Sequence, residues 1–352
     1  MQPSGAGDER ARRADLGTGK RRAVTLQDVA DEADVAVSTA SRALSNPHRV
    51  SAATRHRVQS VAARLGYRHI RTAPAFEAGG PPMLALLVPD ITNPYNFGLI
   101  RGAEAQARAA GYTLLLANTQ ESGEFEKAHA ERLGSAVAGF VLASSRLPEG
   151  DLLSLAECHP VVLLNRQVGS VPSVVIDAVD AGRQIIDHLA ALGHRSVTYL
   201  GGPANAWIDG ERSRALSEFA ERAGITVRRR GPFAPTVEGG SAAADIGMAS
   251  GATALVAFND LLALGVLKRL QHLGIDVPGD ISVVGFDDIF GSDWCHPPLT
   301  TVTAPVEQAG RILIDLLLGT RDTQVAPRIV LPAVLRVRDS TGPAKTLGAA
   351  QV

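Results

Sequence analysis

The stretch Val24–Tyr67 reads VTLQDVADEADVAVSTASRALSNPHRVSAATRHRVQSVAARLGY and parses into three short helices with no room for a sheet. The first opens at Thr25, whose hydroxyl can accept from the backbone N–H of Asp28 while the Asp28 carboxylate reaches back, forming a capping box. Leu26, Val29, Ala30 and Ala33 fall at i, i+3, i+4 and i+7, so they share one face, and Gln27, Asp31 and Glu32 face water. After a tight turn at Asp34-Val35-Ala36, a second helix over about 37–45 turns Ala40, Ala43 and Leu44 inward and leaves Val37, Ser38, Ser41 and Arg42 outward. Asn46-Pro47 breaks the chain. Ser51 is then placed to cap a third helix with Val58, Val61, Ala62 and Leu65 inward, stopped by Gly66. Two helices across a short turn, braced by a third, form a helix-turn-helix unit.

The outward face of the second helix is small, polar and carries one long cation. An α-helix fits the major groove of duplex DNA, where an arginine can bond guanine O6 and N7 in a fork and small neighbours allow close approach. Arg42 is therefore the candidate base reader. On the residues alone, the alternative is a merely solvated helix surface.

These residues resemble the headpiece of the lactose-repressor (LacI/GalR) family of bacterial transcription regulators. The family pattern TL-x-DVA-x-x-A-x-V-S-x-x-TVSR-x-L-N, then VS-x-x-TR-x-x-V-x-x-x-x-x-x-LGY, is met by TLQDVADEADVAVSTASRALS and VSAATRHRVQSVAARLGY. The resemblance implies base reading by Val37, Ser38 and Arg42. It implies phosphate contacts from Thr25, Thr39, Ser41, Arg49, Ser51 and Thr54, which set register and salt dependence. Three residues depart from the pattern. Asp34 stands where the family has glycine. Ala36 replaces a serine cap, which removes a bond worth roughly 0.5–2 kcal/mol. Ala40 replaces valine.

The 352 residues, 45% hydrophobic, suffice for this headpiece plus one larger two-lobed unit. Net charge is −1, but residues 1–72 carry 13 Lys/Arg against 7 Asp/Glu, and the remainder 22 against 29. A basic front on an acidic body suits a polyanion partner for the first part only. Residues 1–22 have charge but no apolar core. They read as a disordered basic tail, neither signal peptide nor membrane span. Two cysteines, Cys158 and Cys295, show no metal-ligand spacing, and such sparse use fits a reducing cytoplasm. The headpiece is expected over 23–68, and the Ala/Pro/Gly-rich segment 69–81 is a linker. The family resemblance makes this linker a hinge helix that wedges an apolar side chain into the minor groove, here Phe76. Pro74 and the missing Y-x-P-N start depart from that pattern.

From Met83 the pattern becomes strand-helix alternation. MLALLVP, TLLLAN, GFVLAS, VVLLN, VVID, VTYLGG, ALVAFND and ISVVGFDD are aliphatic runs too uninterrupted to leave one face in water. Between them lie amphipathic stretches at 98–110, 181–192, 211–223 and 261–273. Parallel sheets covered on both faces follow, in two doubly wound lobes over 82–342, with a tail at 343–352. Ligands of such sheets bind off the strand C-termini, where Asp90, Asn93, Asn118, Asn165, Arg166, Asp177, Asn259 and Asp260 stand. Each taken alone reads more readily as a helix cap than as a ligand contact. Tyr95, Phe97, Trp207 and Phe233 add aromatic surface for a polyhydroxylated or planar polar ligand.

Here the resemblance extends over PDITNPYNFGLIRGAE, GYTLLLANT, VVLLNR, LGHRSVTYLGGP, FNDLLALGVLKRL, GIDVPGDISVVGFDDI, PPLTTV and LPAVLRVRDST. It implies a two-lobed, periplasmic-binding-protein-like effector domain. Effector contacts carry over to the loop from Asn93 through Tyr95 to Phe97, and to Asn165, Arg166, Asp177, Arg212, Phe233 and Asp260. Arg214 remains a rival to Arg212, because the family motif there is degraded. Ala304 replaces a frequent glutamine after LTTV, which makes that side of the pocket smaller or more apolar. Lys127 apart, few first-lobe cations are expected near the cleft.

The fold class expected is thus a small all-α headpiece plus an α/β two-lobed domain. The expected function is a repressor of the family, dimeric on a pseudo-palindromic double-stranded DNA operator, controlled by a sugar-like effector and relieved by it by default. No cofactor, metal or membrane enters this reading, and no enzymatic activity. A solute-binding protein of the same two-lobed fold is the alternative, but it has no use for a headpiece. A nucleotide-dependent oxidoreductase lacks its glycine fingerprint in LLVPDITNPY, GTGK at 17–20 is too short for a phosphate loop, and a G-x-S-x-G elbow is missing.

Overall fold

The computed structural model describes residues 25–45, 50–65, 82–319 and 327–345. The expected tail at 1–22, the linker at 69–81, and Arg49 and Phe76 lie outside the described residues. The chain divides into two compact units, Met1–Arg71 and Thr72–Val352.

In the first unit, α1 (Leu26–Glu32), α2 (Val37–Ser45) and α3 (Ala52–Leu65) enclose a small core. Val29, Ala30, Ala33, Ala40, Ala43, Val58, Val61 and Ala62 are buried there, with Leu26, Val35, Leu44, Val50 and Leu65 packed around them. The capping box forms as the spacing requires. Asp28 N–H donates to the Thr25 hydroxyl at 3.3 Å, and Thr25 N–H donates to the Asp28 carboxylate at 2.7 Å. Asp34 takes a left-handed backbone, φ 50°, at the turn where glycine is the unstrained choice. Ala36 precedes α2 and receives Ala40 N–H on its carbonyl at 3.0 Å, but its methyl cannot cap. Ser51 does cap α3, accepting from Thr54 N–H at 3.2 Å.

The second unit holds two six-stranded sheets. The first runs β11-β5-β4-β3-β1-β2, built from β1 (Met83–Val88), β2 (Thr113–Asn118), β3 (Phe140–Ala143), β4 (Val161–Leu164), β5 (Ser173–Ile176) and β11 (Arg328–Leu331). The second runs β12-β10-β9-β8-β6-β7, from β6 (Ser196–Leu200), β7 (Thr226–Arg230), β8 (Ala254–Ala257), β9 (Ser282–Phe286), β10 (Thr300–Thr303) and β12 (Val334–Arg336). All pairings are parallel except β10 with β12.

Both faces of each sheet are covered, as the uninterrupted aliphatic runs require. On the first, Leu84, Leu86 and Val88 pack under α4 (Tyr95–Ala109) and α11 (Val306–Gly319). Ala85 and Leu87 point the other way, toward α5 (Gly123–Leu133) and α6 (Glu149–Cys158). On the second, Val197 and Tyr199 meet α7 (Ala178–Ala191) and α8 (Trp207–Ala223), while Leu200 and Leu255 meet α9 (Val237–Ala249) and α10 (Asp260–His272).

The chain passes between lobes three times: after β5 into α7, after β10 into α11, and between β11 and β12. Helix α11 therefore returns to the first lobe, where it crosses α4 so closely that a Cβ on Gly102 would strike the Glu307 carbonyl. Arg101–Glu307 at 2.9 Å and Gln106–Asp315 at 2.6 Å flank the crossing. One face of α4 is thus used within the chain.

Candidate functional site

On the headpiece, Val37, Ser38 and Arg42 stand exposed on one face of α2, and Thr39 and Ser41 are half-buried beside them. Arg42 lies back along the helix, its Nε donating to the Ser38 carbonyl at 2.9 Å and Nη2 to the Ser38 hydroxyl at 3.2 Å. The exposed guanidinium is thus folded back one turn along its own helix, and to read a base it exchanges these Ser38 oxygens for base-edge acceptors. Thr25 is engaged with Asp28, and Ser51 and Thr54 join hydroxyls at 2.8 Å at the start of α3. The structure brings this set onto the described part of one unit.

In the second unit, the strand C-termini of both lobes meet at one cleft. Among the described residues, six of the seven non-glycine positions with positive φ stand at those ends: Gln120, Glu121, Ser144, Asn165, Asp287 and Asp288. Left-handed backbone away from glycine is held only where surroundings over-determine it, and it clusters at binding sites. Its effect here is to re-aim each side chain at the point where a strand stops.

From the first lobe, Asn93, Tyr95, Glu121, Ser144, Arg146 and Asn165 line a pocket, and from the second Ile208, Arg212, Asn259 and Asp287 face them. Asn165 donates through Nδ2 to the Tyr95 hydroxyl at 3.1 Å and accepts from Ile176 N–H at 3.0 Å, so both ends of its amide are fixed. Burial pushes the Tyr95 phenol above its usual pKa, so it keeps its proton. The Asn93 carboxamide oxygen accepts from Tyr95 N–H at 3.0 Å in the turn that leads into α4.

Arg212 is buried, 7% exposed. It donates to the Phe258 carbonyl, pairs with Asp287 at 3.2 Å and lies 4.3 Å from the Phe286 ring centroid. Its rival, Arg214, is exposed and paired with Glu211 at 2.7 Å. Arg212 is therefore the cleft cation of this helix.

Other expected contacts stand elsewhere. Asp260 is fully buried and does not line this pocket. Its Oδ2 accepts from Ile289 N–H at 3.0 Å and the Ser292 hydroxyl at 2.6 Å, and its Oδ1 from the Thr301 hydroxyl at 2.5 Å. One oxygen braces the segment after β9 and the other is held by β10, so the second-lobe carboxylate that lines the pocket is Asp287. Burial, with the charge of Asp287 nearby, pushes Asp260 up to about 7. Burial pushes Asp287 up to about 6 despite Arg212.

Asp177 caps α7, accepting from Asp180 N–H at 2.9 Å. Phe97 is exposed, and Phe233 packs on the second-lobe core with its N–H on the Gly201 carbonyl at 3.0 Å. Arg166 lines a separate open groove with Trp207 and Arg229, its Nη1 donating to the Ser145 carbonyl at 2.7 Å. Lys127 is a surface ion pair with Asp151 at 2.9 Å.

The first-lobe cation that does face the cleft is Arg146, whose side chain is 3% exposed and pairs with Glu121 at 2.7 Å. Glu126 holds this loop by accepting Arg146 N–H at 2.7 Å. Asp287, Arg146 and Glu121 were missed because each stands one to three residues past a strand end, inside runs read as strand or loop. The signal available was their position just after β9, β3 and β2.

A helix-turn-helix unit with an exposed arginine, on the same chain as a two-lobed body whose polar residues converge between its lobes, defines a class: ligand-responsive DNA-binding proteins. Residues 25–69 match the description "Bacterial regulatory proteins, lacI family", and 186–341 match "Periplasmic binding protein-like domain". The HTH-type transcriptional repressor CytR of Escherichia coli K12 is 32% identical over 312 residues, covering 86% of this chain and 91% of its own length. The transcriptional regulator CelR in complex with cellobiose superposes with a TM-score of 0.67 at 30% identity, covering 90% of this chain and 99% of that one. The lac repressor dimer bound to operator and the anti-inducer ONPF gives a TM-score of 0.67 at 27% identity, covering 91% and 99%. The chain belongs to the lacI family of bacterial regulatory proteins. It is a DNA-binding transcriptional regulator, not a solute-binding protein that shares the two-lobed body.

Proposed function

We propose that the chain is a repressor, active in the cytoplasm as a homodimer on a pseudo-palindromic operator, and relieved by a small sugar-like effector in the interlobe cleft. The observation that carries this reading is the shared pocket in which Tyr95 and Asn165 of one lobe face Arg212 and Asp287 of the other. A ligand bridging these pairs bonds to both lobes at once, so it favours whichever lobe arrangement brings them together. If that arrangement differs in operator affinity, effector and operator are linked reciprocally.

A single three-helix headpiece reads few base pairs, so two copies on adjacent half-sites give the specificity a regulator needs. Arg42, Val37 and Ser38 are the proposed base readers. Thr25, Thr39, Ser41, Ser51 and Thr54 are proposed on phosphates. Asn93, Tyr95, Asn165, Arg212, Asp287 and Arg146 form the proposed effector shell, with Asp260 as a positioning residue behind Asp287. The bound sugar of the CelR complex supports a sugar-like ligand here.

The test is calorimetry of the full chain with sugars, beside Arg212→Met. Loss of binding by about tenfold or more in the folded variant is expected for a charged hydrogen-bond donor. Unchanged affinity would remove the cleft assignment.

A further inference from the structure

We propose that the effector is a neutral sugar bearing one methyl-sized apolar group, such as a deoxy carbon or a methyl glycoside. This rests on the cleft reading above and narrows it.

Beside the polar pocket lies a second, separate cavity of about 20 Å³. Its wall is Ile176, Ala178, Ala181, Phe286, Val302 and Ala304, residues of the crossover segments and the strand ends next to them. Its rim is Tyr95, Ile208, Arg212 and Asp287, and the same four residues line the polar pocket. The two spaces therefore adjoin through one boundary, polar on one side and apolar on the other.

A water-sized occupant needs roughly 10–15 Å³ of such space, so the well holds one group of that size, and a well with apolar walls tends to stay dry. A sugar hydroxyl placed there would leave water and, beyond the rim, find no partner on the wall. A methyl group loses nothing by leaving water and gains contact. Ala304 keeps the well open, since any longer side chain at that position would project from the segment between β10 and α11 toward the same space.

The charge count of the polar pocket supplies the neutrality. Its two cations are each paired within their own lobe, Arg146 with Glu121 at 2.7 Å and Arg212 with Asp287 at 3.2 Å. A phosphate or carboxylate on the ligand would have to displace one of these carboxylates or lie against it, and like charges at close range disfavour each other. Neutral hydroxyls can instead accept from the arginines and donate to the carboxylates without breaking either pair.

The experiment is calorimetry on the full chain with matched pairs: D-galactose and D-fucose, L-mannose and L-rhamnose, D-glucose and methyl β-D-glucoside, beside glucose 6-phosphate and galactose 6-phosphate. In at least one pair the methyl-bearing member is expected to bind about tenfold or more tightly, about 1.4 kcal/mol. Ala304→Val, which fills the well, should erase that preference and leave the hydroxylated partner within about threefold of its original affinity, a shift below 1.4 kcal/mol. Tighter binding of the hydroxylated members or the phosphates, or no binding by any of the panel, would overturn the class. Where a hydroxylated or phosphorylated sugar binds and Arg212→Met abolishes it, the cleft reading stands while this class falls. A preferred sugar indifferent to both variants overturns the cleft reading as well.

Discussion

Arg42 and Arg212 show how the same residue type takes two roles through its surroundings. Arg42 is exposed and held by one turn of its own helix, so it can exchange the Ser38 oxygens for base-edge acceptors with little desolvation. Replacing it with Ala should cost ~1–3 kcal/mol of discrimination between cognate and scrambled operators while general salt-sensitive binding persists. Fluorescence anisotropy on both duplexes checks this, and undiminished selectivity would exclude Arg42 as a base reader.

Asp260 has the opposite situation, fully buried with three protein donors. Its folded pKa of about 7 lies above the ordinary carboxylate value, so the folded state holds more protons than the unfolded state between about pH 4 and 7. Stability contributed by this site is therefore present at the acid end and is lost as pH rises through 7. Asp260→Asn should flatten the fall in melting temperature across that window, as thermal scans from pH 5 to 8 would show. An unaltered slope would mean that another group sets it.

At the scale of elements, the tightest constraint is the crossing of α4 and α11. Gly102 faces the Glu307 carbonyl and Gly310 the Leu99 carbonyl, each with no room for a methyl group. Gly102→Ala should cost ~2–3 kcal/mol from overpacking, which lowers the melting temperature by roughly 5–10 °C for a domain of this size. A melting temperature within a degree of the parent's would show that the two helices can separate freely.

Helices α1 to α3 and the eight aliphatic strands were legible because burial on one helix face or on both sheet faces imposes a period on the sequence. Strand β7, Thr-Val-Arg-Arg-Arg, was not, since an edge strand with exposed arginines carries no such period. Nor was α9, whose Gly- and Ala-rich run blurs the polar face. The cleft was legible where a polar side chain stands just past a strand end, as at Asn93 and Asn165. Of its charged half Arg212 was legible through the resemblance, but Asp287, Arg146 and Glu121 were not, because the pairing of Arg146 with Glu121 and of Arg212 with Asp287 depends on tertiary approach. Asp260 misled for the same reason: a strand-end carboxylate looks alike in sequence whether it faces a cleft or the interior.

For the whole molecule, the division of charge follows the division of labour. Residues 1–72 carry the excess of Lys/Arg and include the helix-turn-helix unit, while the acidic remainder holds the ligand cleft. Such a front should bind duplex DNA with an affinity that falls steeply with salt, and the body should be indifferent to it. The functional claim joins the two units thermodynamically: a ligand that favours one lobe arrangement must alter operator affinity by the ratio of its affinities for the two states. The most direct test is an anisotropy titration of a selected operator with the full chain, in the absence and saturating presence of a sugar shown by calorimetry to bind, repeated with Arg212→Met. Operator affinity should fall by about fivefold or more with the sugar in the parent chain, in the range of ordinary coupling energies, and stay constant in the variant. An operator affinity unmoved by a sugar that saturates the parent chain would contradict the account.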